Sequence, residues 1–112
     1  MAALLKVFSD DCVVCSMMSE FDAKLASQEG FEMSRIDLGA LAAKPEGDLV
    51  RDWVVDHHLD KSDGTVKVPI YIILDGEKPK ASAVVKDVIE LNDLFKSWEA
   101  SKAQQSRGSM TM

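Results

Sequence analysis

The sequence predicts an α/β fold in which a four-stranded mixed sheet is flanked by three helices, in the order βαβαββα. Apolar runs of strand length alternate with segments whose apolar residues recur at steps of three and four, the helical period. The first two strands are joined through a helix, which requires parallel pairing, whereas a tight turn joins the last two as an antiparallel hairpin. A length of 112 residues fits one domain of ordinary size.

The first half of the chain contains a strand, a helix and a second strand. Residues 4–8 are a short apolar run bounded by polar residues, which predicts a buried strand. One helix is predicted over 12–28 from the spacing of its apolar residues, with Gly30 as its C-terminal cap. Residues 31–38 alternate loosely and predict the second strand, whereas the glycines and the proline of 39–47 predict a loop.

The second half begins with another helix and continues into a hairpin. A helix is predicted over 48–59 because a suitable N-cap aspartate precedes an apolar stripe. Residues 60–64 then form a turn. Residues 68–74 are the strongest strand signal in the chain, and an Asp-Gly pair turns them into a partner strand over 81–85.

The last helix ends the predicted domain. It begins at Asp87, with Glu90 three residues later as its capping partner. The domain is predicted to span 1–102. Residues 103–112 are polar and contain glycine and serine, which indicates a flexible C-terminal tail.

The composition excludes several classes of function. Hydrophobic residues make up 46% of the chain and charged residues 29%, so a packed globular core is expected. A net charge of −6 without a basic patch argues against nucleic-acid binding. No apolar run approaches the ~18–20 residues of a membrane helix, and the first residues lack the pattern of a secretory signal, so we expect a cytoplasmic protein without membrane contact.

The two cysteines, Cys12 and Cys15, are the residues that indicate chemistry. They cannot form a disulfide scaffold, and closing so short a loop stabilises a fold by only about 2 kcal/mol in the chain-entropy model. They lie where the first strand ends and a helix begins, and unpaired backbone N–H groups favour a thiolate there. Cys12 is expected to be the exposed nucleophile, and Cys15 to resolve the mixed disulfide.

Two other interpretations of the cysteine pair stay open at this point. It could be half of a zinc site, but the chain has no second C-x-x-C and no spaced histidine pair. His57 and His58 are adjacent, so on a helix they point about 100° apart. The pair could also be two inert cysteines. The position at a strand-to-helix junction favours dithiol redox chemistry, and we assign no metal ligands.

Over about residues 4–100 the chain resembles the thioredoxin/glutaredoxin superfamily. The residues that carry the resemblance are Asp11-Cys12-Val13-Val14-Cys15 at a helix start, Val68-Pro69 at the opening of a hydrophobic strand, and the Asp75-Gly76 hairpin. The resemblance implies a thioredoxin fold. It also implies a redox-active disulfide between Cys12 and Cys15, with no bound cofactor.

The resemblance further implies a substrate-binding surface around the two cysteines. In this superfamily the proline is cis and faces the dithiol, and the residue before it offers backbone hydrogen bonds to an extended substrate. Carried over to this chain, Pro69 and Val68 flank the cysteines, and Val13 and Val14 belong to the same surface. The alternative for Pro69 is an ordinary proline at a strand start. Tyr71 is expected in the core or near the site.

The motif Asp-Cys-Val-x-Cys is similar to that of small glutaredoxin-like redoxins that donate electrons to ribonucleotide reductase, and to virus-encoded redoxins. This similarity implies a monomeric thiol–disulfide oxidoreductase of a bacterial cytoplasm or of a virus. Its expected partners are protein disulfides such as that of ribonucleotide reductase, with thioredoxin reductase or glutathione as the recharging donor. Residues 81–87 lack the glycine pair that helps glutaredoxins hold glutathione, which argues against glutathione binding.

Three charged residues are candidates for tuning the thiol. Asp10 and Asp11 precede Cys12, and negative charge raises a thiol pKa, so we expect a reductant; they are equally suited to cap the helix. Lys6 occupies the position, six residues before the first cysteine, at which thioredoxins place a buried acid. A lysine there could stabilise a thiolate. The preferred alternative is that Lys6 extends from a strand edge to water.

The main alternative function is a redox-inactive thioredoxin-fold module that binds a protein partner. The acidic first half of the chain would then carry the function. Another alternative is an iron–sulfur or zinc centre shared between two chains through Cys12.

Overall fold

The computed structural model of the chain describes residues 2–111, with side chains described for 2–102. The strands are β1 (Ala2–Phe8), β2 (Glu32–Asp37), β3 (Leu59–Asp60), β4 (Thr65–Val66), β5 (Ile70–Asp75) and β6 (Lys78–Val84). The helices are α1 (Val13–Met18), α2 (Asp22–Gln28), α3 (Leu38–Ala42), α4 (Leu49–His58) and α5 (Val88–Thr111). The predicted fold class, a mixed four-stranded sheet with helices, is confirmed.

The main sheet has the strand order β2-β1-β5-β6, so β1 lies inside it. β1 pairs with β2 in parallel and with β5 antiparallel, and β5 and β6 form the antiparallel hairpin. The parallel pairing follows from the helical connection between the first two strands, and the hairpin from the tight turn at Gly76, whose φ is 65°. Both pairings match the sequence prediction.

Each face of the sheet buries its own core, which explains the continuous apolar runs of β1 and β5. One face contributes Leu4, Tyr71 and Ile73, which pack with residues of α1, α2 and α5. The opposite face contributes Val7, Ile70 and Ile72, which pack against α3 and α4. The alternation of β1 places Lys6 on the same face as Leu4, under α1 and α2.

The single helix predicted over 12–28 is wrong, because the structure breaks it into α1 and α2. The chain turns at 19–21, where the backbone N–H of Phe21 donates to the carbonyl of Met18 at 3.0 Å instead of one residue further back. The hydroxyl of Ser19 donates to the Cys15 carbonyl at 2.9 Å. The break sets the start of α2, with the buried carboxylate of Asp22, against β1.

Two segments predicted as loop or turn carry more structure. The short helix α3 extends into 39–47 and, with the break between α1 and α2, brings the three predicted helices to five in the part of the chain described. It begins after Asp37, whose carboxylate accepts from the N–H of Ala40 at 3.2 Å. The turn over 60–64 is flanked by the two-residue strands β3 and β4. A local cap stabilises the start of α3, and the proline and two glycines of 39–47 obscured that signal in the sequence.

The helix starts predicted at Asp48 and Asp87 are confirmed by capping hydrogen bonds. Asp48 accepts from the N–H of Arg51 at 3.0 Å, and Asp87 accepts from the N–H of Glu90 at 2.9 Å. Glu90 in turn accepts from the N–H of Lys86 at 3.3 Å, one residue earlier than a standard capping box requires.

The backbone of α5 continues through Thr111, across the segment predicted to be a flexible tail. The side chains of 103–112 lie outside the described residues, and the mobility of this segment stays a prediction. Among the helices described, none is both long and apolar enough to cross a membrane.

The end of α4 is tied to β6 by a hydrogen-bond chain. Trp53 Nε1 donates to Ser82 Oγ at 2.8 Å, and Ser82 Oγ lies 2.6 Å from His58 Nε2. His57 is exposed and stacks on the Trp53 ring. Partial burial and the neighbouring His57 lower the pKa of His58.

This shift predicts that acid weakens the fold through His58. Because the pKa is lower in the folded than in the unfolded state, the unfolded chain binds the proton more tightly. The contribution of His58 to the free energy of unfolding is therefore fully present above about pH 6.5. It is lost as the pH falls below this value toward the folded pKa. Urea unfolding across this range should show a shallower pH dependence for His58→Gln than for the wild type. An unchanged slope would contradict the assignment. His57→Gln removes only the smaller of the two causes, so its slope should lie between those of the wild type and His58→Gln.

Candidate active site

Cys12 and Cys15 form a disulfide in the loop and first turn that follow β1. Their Cα atoms are 5.2 Å apart, a distance within the range disulfides require. The chain reaches this position through a turn in which the N–H of Cys12 donates to the Ser9 carbonyl at 3.2 Å. The two sulfurs thus meet at the strand-to-helix junction, as the sequence indicated.

Cys12 is itself the N-cap residue of α1. Its Sγ accepts from the N–H of Cys15 at 3.1 Å. On the other side, Cys12 Sγ lies 3.7 Å from the Val68 carbonyl oxygen. The peptide bond between Val68 and Pro69 is cis. The structure therefore brings Val68 and Pro69 beside the dithiol, and the backbone donor at Cys15 favours a thiolate on Cys12 after reduction.

The two cysteines differ in their access to solvent. Cys15 is buried, with 3% of its surface exposed, whereas Cys12 is half-buried. Val13 between them is 72% exposed and Met17, one turn later, is 61% exposed. Val14 instead packs partly against the core. A partner can therefore contact Cys12 across an apolar surface but cannot reach Cys15 directly.

Asp10 and Asp11 do not cap the helix, because Cys12 occupies the N-cap position. This alternative from the sequence is wrong. The Asp11 carboxylate accepts a hydrogen bond from the Ser9 hydroxyl, which lowers the Asp11 pKa and keeps this residue ionised. Both aspartates are exposed, so water screens their effect on the thiol.

Lys6 does not extend to water, and the expectation of a strand-edge side chain is wrong. β1 is an inner strand, and only 1% of Lys6 is exposed. Its Nζ donates to the Cys15 carbonyl at 2.8 Å and to Ser19 Oγ at 3.3 Å. A buried cation thus contacts the backbone of the second cysteine directly.

Asp22 is the counterion of Lys6 and the centre of a buried polar cluster. Its Oδ2 lies 2.7 Å from Lys6 Nζ and accepts from the Tyr71 hydroxyl at 2.8 Å, while its Oδ1 pairs with Arg35 at 3.2 Å. Burial, followed by the hydrogen bond to Asp22, raises the pKa of Tyr71, so its hydroxyl stays protonated. Buried charges of this kind require such partners.

Strand register explains how these groups meet. Lys6 of β1 lies opposite Arg35 of β2 and opposite Tyr71 of β5 in the strand register. These three polar side chains therefore form one row across one face of the sheet. Sequence analysis missed Asp22 and Arg35. The available signal was the spacing of Met18, Asp22 and Ala26, which places a carboxylate on the buried stripe of a helix. A lysine in a buried strand needed that partner.

A cavity of about 170 Å³ opens beside this cluster. Its lining includes the buried Lys6 and Cys15, the half-exposed Arg35, and the hydroxyls of Ser16 and Ser19. The cavity is open to solvent at Cys15, and Val68 is not among its lining residues. Within the residues that the structure describes, no group of three or more His, Cys, Asp or Glu side chains could hold a metal ion.

No model of a known protein family matches the chain, and no curated protein matches its sequence. Solved structures do match, and several of them are thioredoxins. Thioredoxin 1 from Thermosipho africanus is similar at 18% identity and a TM-score of 0.57, over 90% of this chain and 98% of its own. A mutant thioredoxin from Halobacterium salinarum is similar at 20% identity and a TM-score of 0.56, over 86% of this chain and 73% of its own.

Oxidised thioredoxin O1 from Arabidopsis thaliana is similar at 17% identity and a TM-score of 0.55, over 87% of this chain and 77% of its own. These likenesses show that the chain has the thioredoxin fold. The chemistry follows from the site itself. An accessible Cys12 and a buried Cys15, joined in a disulfide at C-x-x-C spacing, define a thiol–disulfide redox centre.

Proposed function

We propose that this protein is an electron carrier that reduces protein disulfides in the cytoplasm of a bacterium or of a virus-infected cell. The observation that carries the proposal is the unequal exposure of the two bonded cysteines. Cys12 is half-buried, next to the exposed side chain of Val13, whereas only 3% of Cys15 is exposed. This asymmetry supports Cys12 as the nucleophile that attacks the substrate and Cys15 as the thiol that resolves the mixed disulfide.

The mechanism uses the reduced protein as electron donor. The Cys12 thiolate attacks one sulfur of a substrate disulfide, and the other substrate sulfur leaves as a thiolate that takes a proton from water. Cys15 then loses its proton and attacks Cys12 Sγ. The bond between Cys12 and the substrate breaks, and the second substrate sulfur leaves. The substrate gains two electrons, and the Cys12–Cys15 disulfide forms.

The site supports recognition of an extended substrate segment. The Val68 carbonyl lies beside Cys12 Sγ, so a peptide joined to Cys12 would run next to this backbone. Val13 and Met17 offer apolar surface on the other side, and a flexible methionine suits varied partners. We extend the proposal to ribonucleotide reductase as a substrate and to thioredoxin reductase as the recharging enzyme, on the resemblance of the C-x-x-C motif.

We expect the oxidised protein to be reduced faster by thioredoxin reductase with NADPH than by reduced glutathione. The reason is the absence of a glycine pair in residues 81–87, where β6 passes into α5. The measurement is NADPH consumption at 340 nm, through thioredoxin reductase in one assay and through glutathione recycled by glutathione reductase in the other, with a ribonucleotide reductase as the final acceptor. Turnover with glutathione alone would overturn the assignment of the donor while leaving the disulfide chemistry in place.

The second candidate is a protein-binding module that does not use its cysteines. The observation that favours it is the exposure of Val13, Met17 and Phe21, three large apolar side chains spaced by four residues. A double Cys12→Ser, Cys15→Ser variant distinguishes the two functions. Partner binding that survives this change, in a wild-type protein without reductase activity, would favour the module.

A further inference from the structure

The buried cluster beside Cys15 has an unbalanced charge. Lys6 and Arg35 are cationic, Asp22 is the carboxylate they share, and Tyr71 stays neutral. Two cations against one carboxylate leave one net positive charge. Lys6 and Asp22 are fully buried, with 1% and 0% of their side chains exposed, while Arg35 is 42% exposed.

This charge acts close to the second cysteine. Lys6 Nζ lies 2.8 Å from the carbonyl oxygen of Cys15, the residue that carries the resolving sulfur. Cys15 is 3% exposed, so little water separates it from the cluster. Charges interact far more strongly in such an environment than across solvent.

The other charged groups near the dithiol are carboxylates, and one of them, Asp10, lines the same cavity as Lys6 and Cys15. Asp10 and Asp11 come from the loop before Cys12, and both are exposed to water. Asp22 already faces Lys6, Tyr71 and Arg35 through its two oxygens. These three donors engage the Asp22 carboxylate within the cluster.

We propose that Lys6, held by Asp22 and supported by Arg35, is a positioning residue that stabilises the Cys15 thiolate and so replaces a carboxylate base in the resolving step. This inference rests on the proposed function. The Cys15 thiol releases its proton to water through the cavity that both Lys6 and Cys15 line. The resulting thiolate attacks Cys12 Sγ, the new disulfide forms, and the substrate sulfur leaves with its electron pair.

The test is the ionisation of Cys15 in a Cys12→Ser background, followed by thiolate absorbance at 240 nm across pH. Lys6→Met removes the buried cation and should raise the Cys15 pKa, lowering its thiolate fraction about tenfold at a given pH. Arg35→Gln, at a half-exposed position, should act in the same direction with a smaller effect. The matched control is Lys24→Met, which removes an exposed lysine of α2 and should change nothing.

The double variant Lys6→Met, Asp22→Asn separates charge from structure. It restores one net positive charge through Arg35, so the Cys15 pKa should return toward the wild-type value. A role in packing alone would not restore it. An unchanged Cys15 titration in Lys6→Met, or the absence of rescue in the double variant, would overturn the proposal. If Lys6→Met does not fold, the comparison of Arg35→Gln with Lys24→Met still shows whether removing a cation from the cluster raises the Cys15 pKa.

Failure of this inference differs from failure of the proposed function. The Cys15 titration needs no substrate, so it reports the cluster even in a protein without reductase activity. A shifted titration in a protein that reduces no disulfide would uphold the cluster and overturn the electron carrier. Normal disulfide reduction with an unshifted Cys15 titration would uphold the electron carrier and overturn the role of Lys6.

Discussion

Replacing Cys12 by serine is expected to abolish disulfide reduction. The reason is that Cys15 is 3% exposed and lies behind Cys12, so it cannot meet a substrate disulfide in its place. Reduction of a protein disulfide by the reduced variant should fall to the rate seen without protein. Activity close to that of the wild type in Cys12→Ser would contradict the assignment of the nucleophile.

Replacing Cys15 by serine should have a different result, which makes the pair of variants informative. Cys12 can still attack, but the bond it forms with the substrate has no internal thiol to break it. A mixed disulfide should therefore accumulate and be visible by intact-mass measurement, and a thiol reductant should release it. Ser27→Ala, at an exposed position on α2 outside the cavity lining, is the matched control and should leave turnover unchanged.

Asp22→Ala is expected to cost about 3–5 kcal/mol of unfolding free energy, because it leaves the buried Lys6 without a counterion. Denaturant unfolding followed by circular dichroism measures this loss. Tyr71→Phe removes only one hydrogen bond to the same carboxylate and should cost about 0.5–1.5 kcal/mol. Asp93→Ala, on the exposed surface of α5, should stay within about 0.5 kcal/mol of the wild type.

Removing both members of the buried pair gives a further check on this prediction. Lys6→Met combined with Asp22→Leu leaves no unpaired buried charge, so it should be more stable than Asp22→Ala alone. An Asp22→Ala variant that unfolds at the same denaturant concentration as the wild type would contradict the buried ion pair.

The main sheet and the position of the cysteine pair were predictable from local sequence patterns. Strand-length apolar runs, the Asp-Gly turn and the aspartate caps each act over a few residues, so a single sequence reveals them. The caps at Asp48 and Asp87 illustrate this. The break between α1 and α2 was missed because the apolar spacing of 12–28 continues across it, while the turn at 19–21 depends on contacts of Ser19 with the Cys15 carbonyl.

The environment of Lys6 could not be predicted in the same way. Its burial depends on β1 being an inner strand, and its partners lie on three other elements. Arg35 and Tyr71 reach it only through the register of β2 and β5 with β1, which no local pattern fixes. Val68 also approaches Cys12 from 56 residues further along the chain, and only the resemblance to a known superfamily placed it beside the cysteines. The environment of Lys6, which the sequence did not predict correctly, therefore depends on pairing between strands that are far apart in the chain.

The most direct test of dithiol exchange by Cys12 and Cys15 is a single-turnover reaction between the reduced protein and an excess of a protein disulfide, with no other reductant present. If Cys12 attacks and Cys15 resolves, each chain reduces one substrate disulfide and ends with its own Cys12–Cys15 disulfide, detected by mass after alkylation. A folded protein whose two thiols remain reduced and alkylatable after this reaction would contradict the account.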